Sequence, residues 1–231
     1  MPSNRSLSII IPAYNEEENI QSVLTSIRDL ENKIQIPFEV IVVDDGSTDK
    51  TAQIASSFEF VKVERNRRNL GKGAAVRRGL EVSMGDIIVI QDADLEYFPS
   101  EIPVLVWPLI SGGAEVVYGS RFLGKRNRMI ISRYIGNRIL SIVTSILYCR
   151  KMTDVMTGHK AFTRCTINSI QVTKNDFSIE VEITSKFLKK KFKIKEVQVR
   201  YESRKKGVSK LSWKDGVRAL MLLIKLRFSG A

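Results

Sequence analysis

Residues 86–94 run Asp-Ile-Ile-Val-Ile-Gln-Asp-Ala-Asp. Four consecutive β-branched residues, Ile87, Ile88, Val89 and Ile90, leave no polar face, so 86–91 reads as a strand buried on both sides. Gly85 closes the helical pattern of 72–84 just before it. Two carboxylates follow at once, Asp92 and Asp94. In an open α/β sheet ligands bind beyond the carboxyl ends of the strands.

Upstream, 6–12 and 40–43 are further apolar strand runs and 60–64 is a short strand. Asn15 followed by Glu16, Glu17 and Glu18 predicts an N-cap with acids in the first turn, opening a helix to about residue 30. Ser47 or Thr48 is placed to cap a second helix through residue 57. Downstream, 115–119 is a fourth strong strand. Alternating strand and helix units predict a mainly parallel sheet with helices on both faces.

The second half changes character. Ile131, Ile135, Ile139, Ile142 and Ile146 recur at helical spacing within 130–148. Residues 177–190 predict a helix, 192–201 a half-exposed strand, and 213–228 a final helix. On that helix Trp213, Val217, Leu220, Met221, Ile224 and Phe228 share one face, and Lys214, Arg218 and Lys225 lie elsewhere. A basic helix with such a face suits a membrane interface, and equally suits packing on the core. The expected organisation is an α/β domain over 1–212, including an amphipathic helix at about 130–149, followed by an amphipathic segment at 213–231.

Composition narrows the chemistry. Among 231 residues, 37 Lys and Arg against 25 acids give +12, which predicts anionic partners: nucleic acid, phosphorylated substrates or an acidic membrane surface. The only histidine is His159 and the cysteines are Cys149 and Cys165. These exclude a four-ligand Cys/His zinc site and a disulfide framework, and a reducing compartment fits. Carboxylates must therefore carry most of any acid, base or metal chemistry. No signal peptide is evident, and the uncharged run 139–149 is shorter than the roughly 20 apolar residues a spanning helix needs.

Three strand ends carry unusual residues: Pro12-Ala13-Tyr14-Asn15-Glu16, Asp44-Asp45-Gly46-Ser47 and Asp92-Ala93-Asp94. Strand ends of one sheet converge, so these carboxylates should share a crevice, where like charges repel unless a cation intervenes. Oxygen-rich clusters suit Mg2+ or Mn2+ completed by substrate phosphates. The expectation is a metal bridging Asp92 or Asp94 to a diphosphate. An isolated Asp-x-Asp also occurs as a loop cap; its place after a buried strand favours the metal. Gly71-Lys72-Gly73 lacks the third glycine of a dinucleotide fingerprint, since position 76 is Val, and reads as a loop and helix start. Arg121, just beyond the strand ending at Gly119, is placed for phosphate contact, whereas Lys189, Lys190 and Lys191 read as solvated charge.

Together, IIIPAYNEE, VVDDGSTD, NLGKGAAVRRG, QDADLEY, YGSR and RKKGVSKL resemble the family 2 glycosyltransferases, nearest the dolichyl and polyprenyl-phosphate sugar synthases. The resemblance runs from about residue 6 to 228. It implies a GT-A fold and an inverting, metal-dependent transfer of mannose or glucose from GDP-mannose or UDP-glucose to a dolichyl or polyprenyl phosphate. It implies that Pro12, Tyr14, Glu16, Val43 and Asp45 hold the nucleoside. It implies that Asp92, Ala93, Asp94 and Glu96 face metal and diphosphate, with Asp92, Asp94 and Glu96 as the Mg2+ or Mn2+ ligands. Arg121 and Arg133 would face donor and acceptor phosphates, and Arg204 and Lys210 would close over the leaving group, making Asp94, Arg121 and Arg204 the implied catalytic set. Position 96 is Glu where mannosyl synthases often carry Gln, and position 208 is Val where Glu is usual, so both sugars stay open. The implied location is peripheral, on the cytoplasmic face of a membrane, with room for a small anchoring subunit. The alternatives are transfer to a polysaccharide or protein hydroxyl, with Asp154 as a weaker candidate base, and a basic nucleic-acid-binding module. Against the second, the basic clusters hold few aromatic stacking residues and no nucleic-acid motif.

Overall fold

A seven-stranded sheet forms the centre of the computed structural model, which describes residues 5–124, 129–203 and 213–229. Its strands are β1 (Leu7–Ala13), β2 (Phe38–Asp44), β3 (Val61–Arg65), β4 (Ile87–Ile90), β5 (Val116–Ser120), β6 (Lys160–Thr163) and β7 (Ile194–Gln198), in the order β3-β2-β1-β4-β6-β5-β7. The first four are mutually parallel, β6 runs antiparallel to both neighbours, and β7 pairs parallel with β5. The carboxyl ends of β1, β2 and β4 therefore share one edge.

The apolar runs cover both sheet faces because side chains alternate along a strand. Ile9, Ile11, Val40, Val42, Ile87 and Val89 point into one layer with α1 (Ile20–Arg28) and α4 (Ile102–Ile110). Ile10, Ile41, Val43, Ile88 and Ile90 point into the other, beneath α3 (Lys72–Val82) and α7 (Ile179–Lys189). Two short helices, α2 (Thr51–Ser56) and α6 (Arg164–Asn168), complete the connections.

Several boundaries differ from expectation. Asn15 does not cap a helix: its φ is +49°, its N–H donates to Ser47 Oγ, and its Oδ1 accepts from Thr48 N. The backbone N–H groups of Glu16 and Glu17 are likewise taken by Thr51 Oγ1 and Asp49 Oδ2, so α1 begins only at Ile20. Helix α2 starts at Thr51, whose N–H donates to Asp49 Oδ1. Helix α4 forms with Pro103 in its first turn, which removes only a donor that would be unpaired anyway, and with Pro108 in its interior.

Helices α5 (Ile131–Tyr148) and α8 (Trp213–Phe228) pack on each other, and α8 also packs on α7. Helix α5 buries Leu140, Ser141 and Thr144, while the five isoleucines of its stripe are 49–70% exposed. Helix α8 buries Ala219 and Leu223 and leaves Val217, Met221, Ile224 and Phe228 exposed. Among the described residues no helix is long and apolar enough to cross a membrane.

Candidate functional site

Parallel register brings the three polar strand ends together. Asp45 N donates to Ala13 O at 2.8 Å, extending the β1–β2 ladder one step past the strands. A cleft of about 290 Å³ opens there, at the lower edge of ligand-pocket sizes. Asp45 and Asp94 both line it.

The two aspartates ending β2 have different work. Asp44 is fully buried; it accepts Ser47 N at 3.1 Å and pairs with Arg65 Nε at 3.0 Å, which fixes the turn. Asp45 accepts Asn66 Nδ2 at 2.7 Å, Leu70 N at 3.1 Å and Gly71 N at 2.7 Å, so it ties the 66–71 loop down as one cleft wall. Gly46, with φ +73°, lets that loop close, since a Cβ there would lie 2.5 Å from the Arg68 carbonyl carbon. Pro12, Tyr14 and Glu16 line the same wall, and Asn19 Nδ2 donates to the Glu16 carboxylate at 2.9 Å.

The acidic corner lies beyond β4. Buried Gln91 donates to Asp92 O and Tyr97 O and so braces the intervening loop, which turns at Leu95 with φ +59°. Asp94 Oδ1 accepts Glu96 N at 3.1 Å. Arg133, in the first turn of α5, lies 3.6 Å from Glu96 and joins that helix to the acidic loop. Lys72 Nζ stands 2.7 Å from Asp92 Oδ1 and 2.8 Å from Glu180 Oε1. Burial opposes the Lys72 charge, yet Asp92 and Glu180 together raise its pKa well above the ordinary range.

Asp92, Asp94 and Glu96 offer carboxylate oxygen alone, a donor set that fits a hard divalent cation. Among the described residues no three His, Cys, Asp or Glu side chains converge on one point. An ion at this corner would thus draw further ligands from water or a bound phosphate, the habit of Mg2+ sites.

Arg121 is the cation opposite. Its Nε and Nη2 bind the two oxygens of Asp154, and its plane lies 5.4–5.7 Å from the rings of Tyr97, Phe122 and Tyr201. Arg121 also lines the cleft. Asp154 is fully buried and also accepts Arg121 N, so both its oxygens are engaged and it is not free to act as a base. Glu196 of β7 holds the Thr153 and Asp154 amides, and its own pKa is raised by burial.

Of the expected site residues, Pro12, Tyr14, Glu16, Asp45, Asp92, Ala93, Asp94, Glu96, Arg121 and Arg133 all line the cleft. Val43 does not: its side chain is fully buried in the sheet core. Arg204 and Lys210 lie outside the described residues. The wall also includes Lys72, Gly158, Phe177 and Glu180, which sequence reasoning did not assign. Lys72 had a signal, its place between two glycines at a helix start. Gly71 and Gly73 are required because a Cβ on either would meet the Asn175 or Lys174 carbonyl oxygen within 2.4 Å. Glu180 had none, since an acid in a helix's first turn is ordinary.

The family model described as glycosyl transferase family 2 matches residues 8–171. A dolichol-phosphate mannosyltransferase of Pyrococcus furiosus is 34% identical over 90% of this chain, which spans only 60% of that protein's length. An uncharacterized protein of Methanocaldococcus jannaschii is 31% identical over 95% of this chain and 98% of its own length. Among solved structures, glucosyl-3-phosphoglycerate synthase from Mycobacterium tuberculosis, in complex with Mn2+, UDP and phosphoglyceric acid, superposes with a TM-score of 0.78 at 23% identity, covering 99% of this chain and 81% of that one. At that identity the likeness shows the fold.

Proposed function

The chain belongs to glycosyl transferase family 2 and has the GT-A fold, and from that premise we propose that it transfers a hexose, with inversion, from a nucleotide sugar to a dolichyl or polyprenyl phosphate. The observation that carries this reading is the shared cleft of Asp45, Asp92 and Asp94. The wall made by residues 12–16, Asp45 and the 66–71 loop takes the nucleoside. Asp92, Asp94 and Glu96 would hold Mg2+ or Mn2+, which when bound neutralises the charge that builds on a departing nucleoside diphosphate.

Arg121 and Arg133 orient the acceptor phosphate for in-line attack, an entropic contribution. A phosphate monoester is ionised near neutral pH and needs no strong general base, which agrees with an Asp154 already consumed by Arg121. That engagement weighs against the hydroxyl-acceptor alternative. Arg204 and Lys210 are proposed to approach the leaving group from the segment between β7 and α8. Mannose, as in the name of the Pyrococcus relative, and glucose are the sugars to test.

The exposed stripes of α5 and α8 support a peripheral seat on a membrane, where a polyprenyl acceptor resides. We assign catalysis to 1–212 and interfacial contact to 213–231 together with α5. The cytoplasmic face and a small anchoring subunit complete the proposal. The test is incubation with GDP-mannose or UDP-glucose, a polyprenyl phosphate and Mg2+ or Mn2+, with product identified by mass. A hexosyl polyprenyl phosphate supports the reading; sugar found only on hydroxyl acceptors rejects it.

A further inference from the structure

Four ionisable side chains stand in a row that starts at Asp92 and runs back through Lys72 and Glu180 to Lys160. The proposed reaction uses only the first. Lys160 is fully buried on β6, with its ammonium 4.8 Å from the Tyr118 ring centroid. It donates to Glu180 Oε2, Thr157 O and, at 3.2 Å, Val155 O, so all three donors are spent and the group is fixed. Glu180 thus has one oxygen anchored from behind and the other presented to Lys72 at the cleft wall.

Such burial is costly, and apolar residues commonly replace buried ion pairs without loss of stability. Stability alone therefore gives little reason for the arrangement. Its position gives a better one, because the row ends on a carboxylate of the acidic corner. We propose that Glu180, clamped by Lys160, is a positioning residue: it holds the Lys72 ammonium at Asp92 Oδ1 and thereby fixes the carboxylate that faces the donor. The other oxygen, Oδ2, is left against Gly158, where an added Cβ would lie 2.0 Å away. The proposal rests on the reading that Asp92 faces a donor diphosphate.

The test is calorimetric titration of the full chain with UDP and with GDP in the presence of Mn2+. The variants are Lys72→Met, the pair Lys160→Met with Glu180→Gln, which leaves no buried charge alone, and all three together. Loss of a residue that orients a ligating group commonly weakens metal affinity about 10–100-fold. The single and the pair should each weaken nucleotide binding about tenfold, and the triple should bind no more weakly than Lys72→Met alone, because Glu180 acts through Lys72. Unchanged binding in the pair variant, or additive losses in the triple, overturns the proposal. Should the pair variant fail to fold, Glu180→Asp keeps the charge but withdraws it by one methylene; weakened binding supports the role and unchanged binding overturns it. If the unaltered chain binds neither nucleotide with Mn2+, the reading of the cleft falls and this proposal with it, whereas additive variants of a binding-competent chain sink this proposal alone.

Discussion

Arg121 and Asp154 meet edge to edge: Nε and Nη2 of the guanidinium each lie 2.7 Å from a different oxygen of a fully buried carboxylate. Removing one partner strands a buried charge, which costs about 3–5 kcal/mol. Asp154→Ala should lose roughly that much in urea denaturation. Arg121→Lys should also be damaging, because an ammonium cannot reproduce the two-pronged contact. A loss under about 1 kcal/mol for Asp154→Ala would contradict the structural role drawn for this pair.

Gly158 abuts the acidic corner. A Cβ there would lie 2.0 Å from Asp92 Oδ2 and 3.0 Å from Lys72 Nζ. Gly158→Ala should therefore displace Asp92 and weaken Mn2+-dependent nucleotide binding at least about tenfold, the scale of a disturbed ligand shell. Calorimetry checks this; wild-type affinity would show that Asp92 is not needed where it stands.

His159 makes stability depend on pH. Both ring nitrogens are buried without a hydrogen-bond partner among the described residues, and burial lowers its pKa to about 3 from an ordinary 6.5. Between those values only the unfolded chain binds the proton, so stability falls as pH drops through 6.5 toward 3, by about 1.4 kcal/mol per unit at most. From pH 7 to pH 5 the expected loss from this group is about 2 kcal/mol. In His159→Leu that increment should vanish while the carboxylate contributions remain. Equal pH dependence in the two chains, measured by urea midpoints, would refute it.

Much of the fold was legible because buried parallel strands announce themselves as unbroken β-branched runs, as Ile87–Ile90 do. The strand-end carboxylates followed from topology. What stayed hidden was set by tertiary contacts. Asn15 looks like a helix cap until Ser47 and Thr48 arrive from the loop after β2. Strand β6 begins with Lys160, and nothing local marks a lysine as buried or Glu180 as its partner. Spacing identified the isoleucine stripe of α5 but not its direction: Leu140, Ser141 and Thr144 are buried and Val143, Leu147 and Tyr148 pack beside the core, while the stripe is left outside.

That outward stripe predicts a membrane phenotype. Ile142→Ser with Ile146→Ser, and Met221→Ser with Phe228→Ser, alter exposed residues and should leave melting temperature nearly unchanged. Each lost apolar contact is worth about 1.5–3 kcal/mol when fully buried, so flotation with anionic liposomes should fall at least about tenfold. Unchanged flotation would mean that these faces do not meet lipid.

The acidic corner beyond β4 is proposed to carry the donor. The most direct measurement compares glycolipid formation from nucleotide sugar and polyprenyl phosphate by the unaltered chain and by Asp94→Ala, at matched melting temperature. Loss of transition-state charge stabilisation predicts a fall of at least about 10²-fold, and the same fall for the unaltered chain when EDTA removes divalent metal. Full transfer by Asp94→Ala would rule out a donor role for this corner.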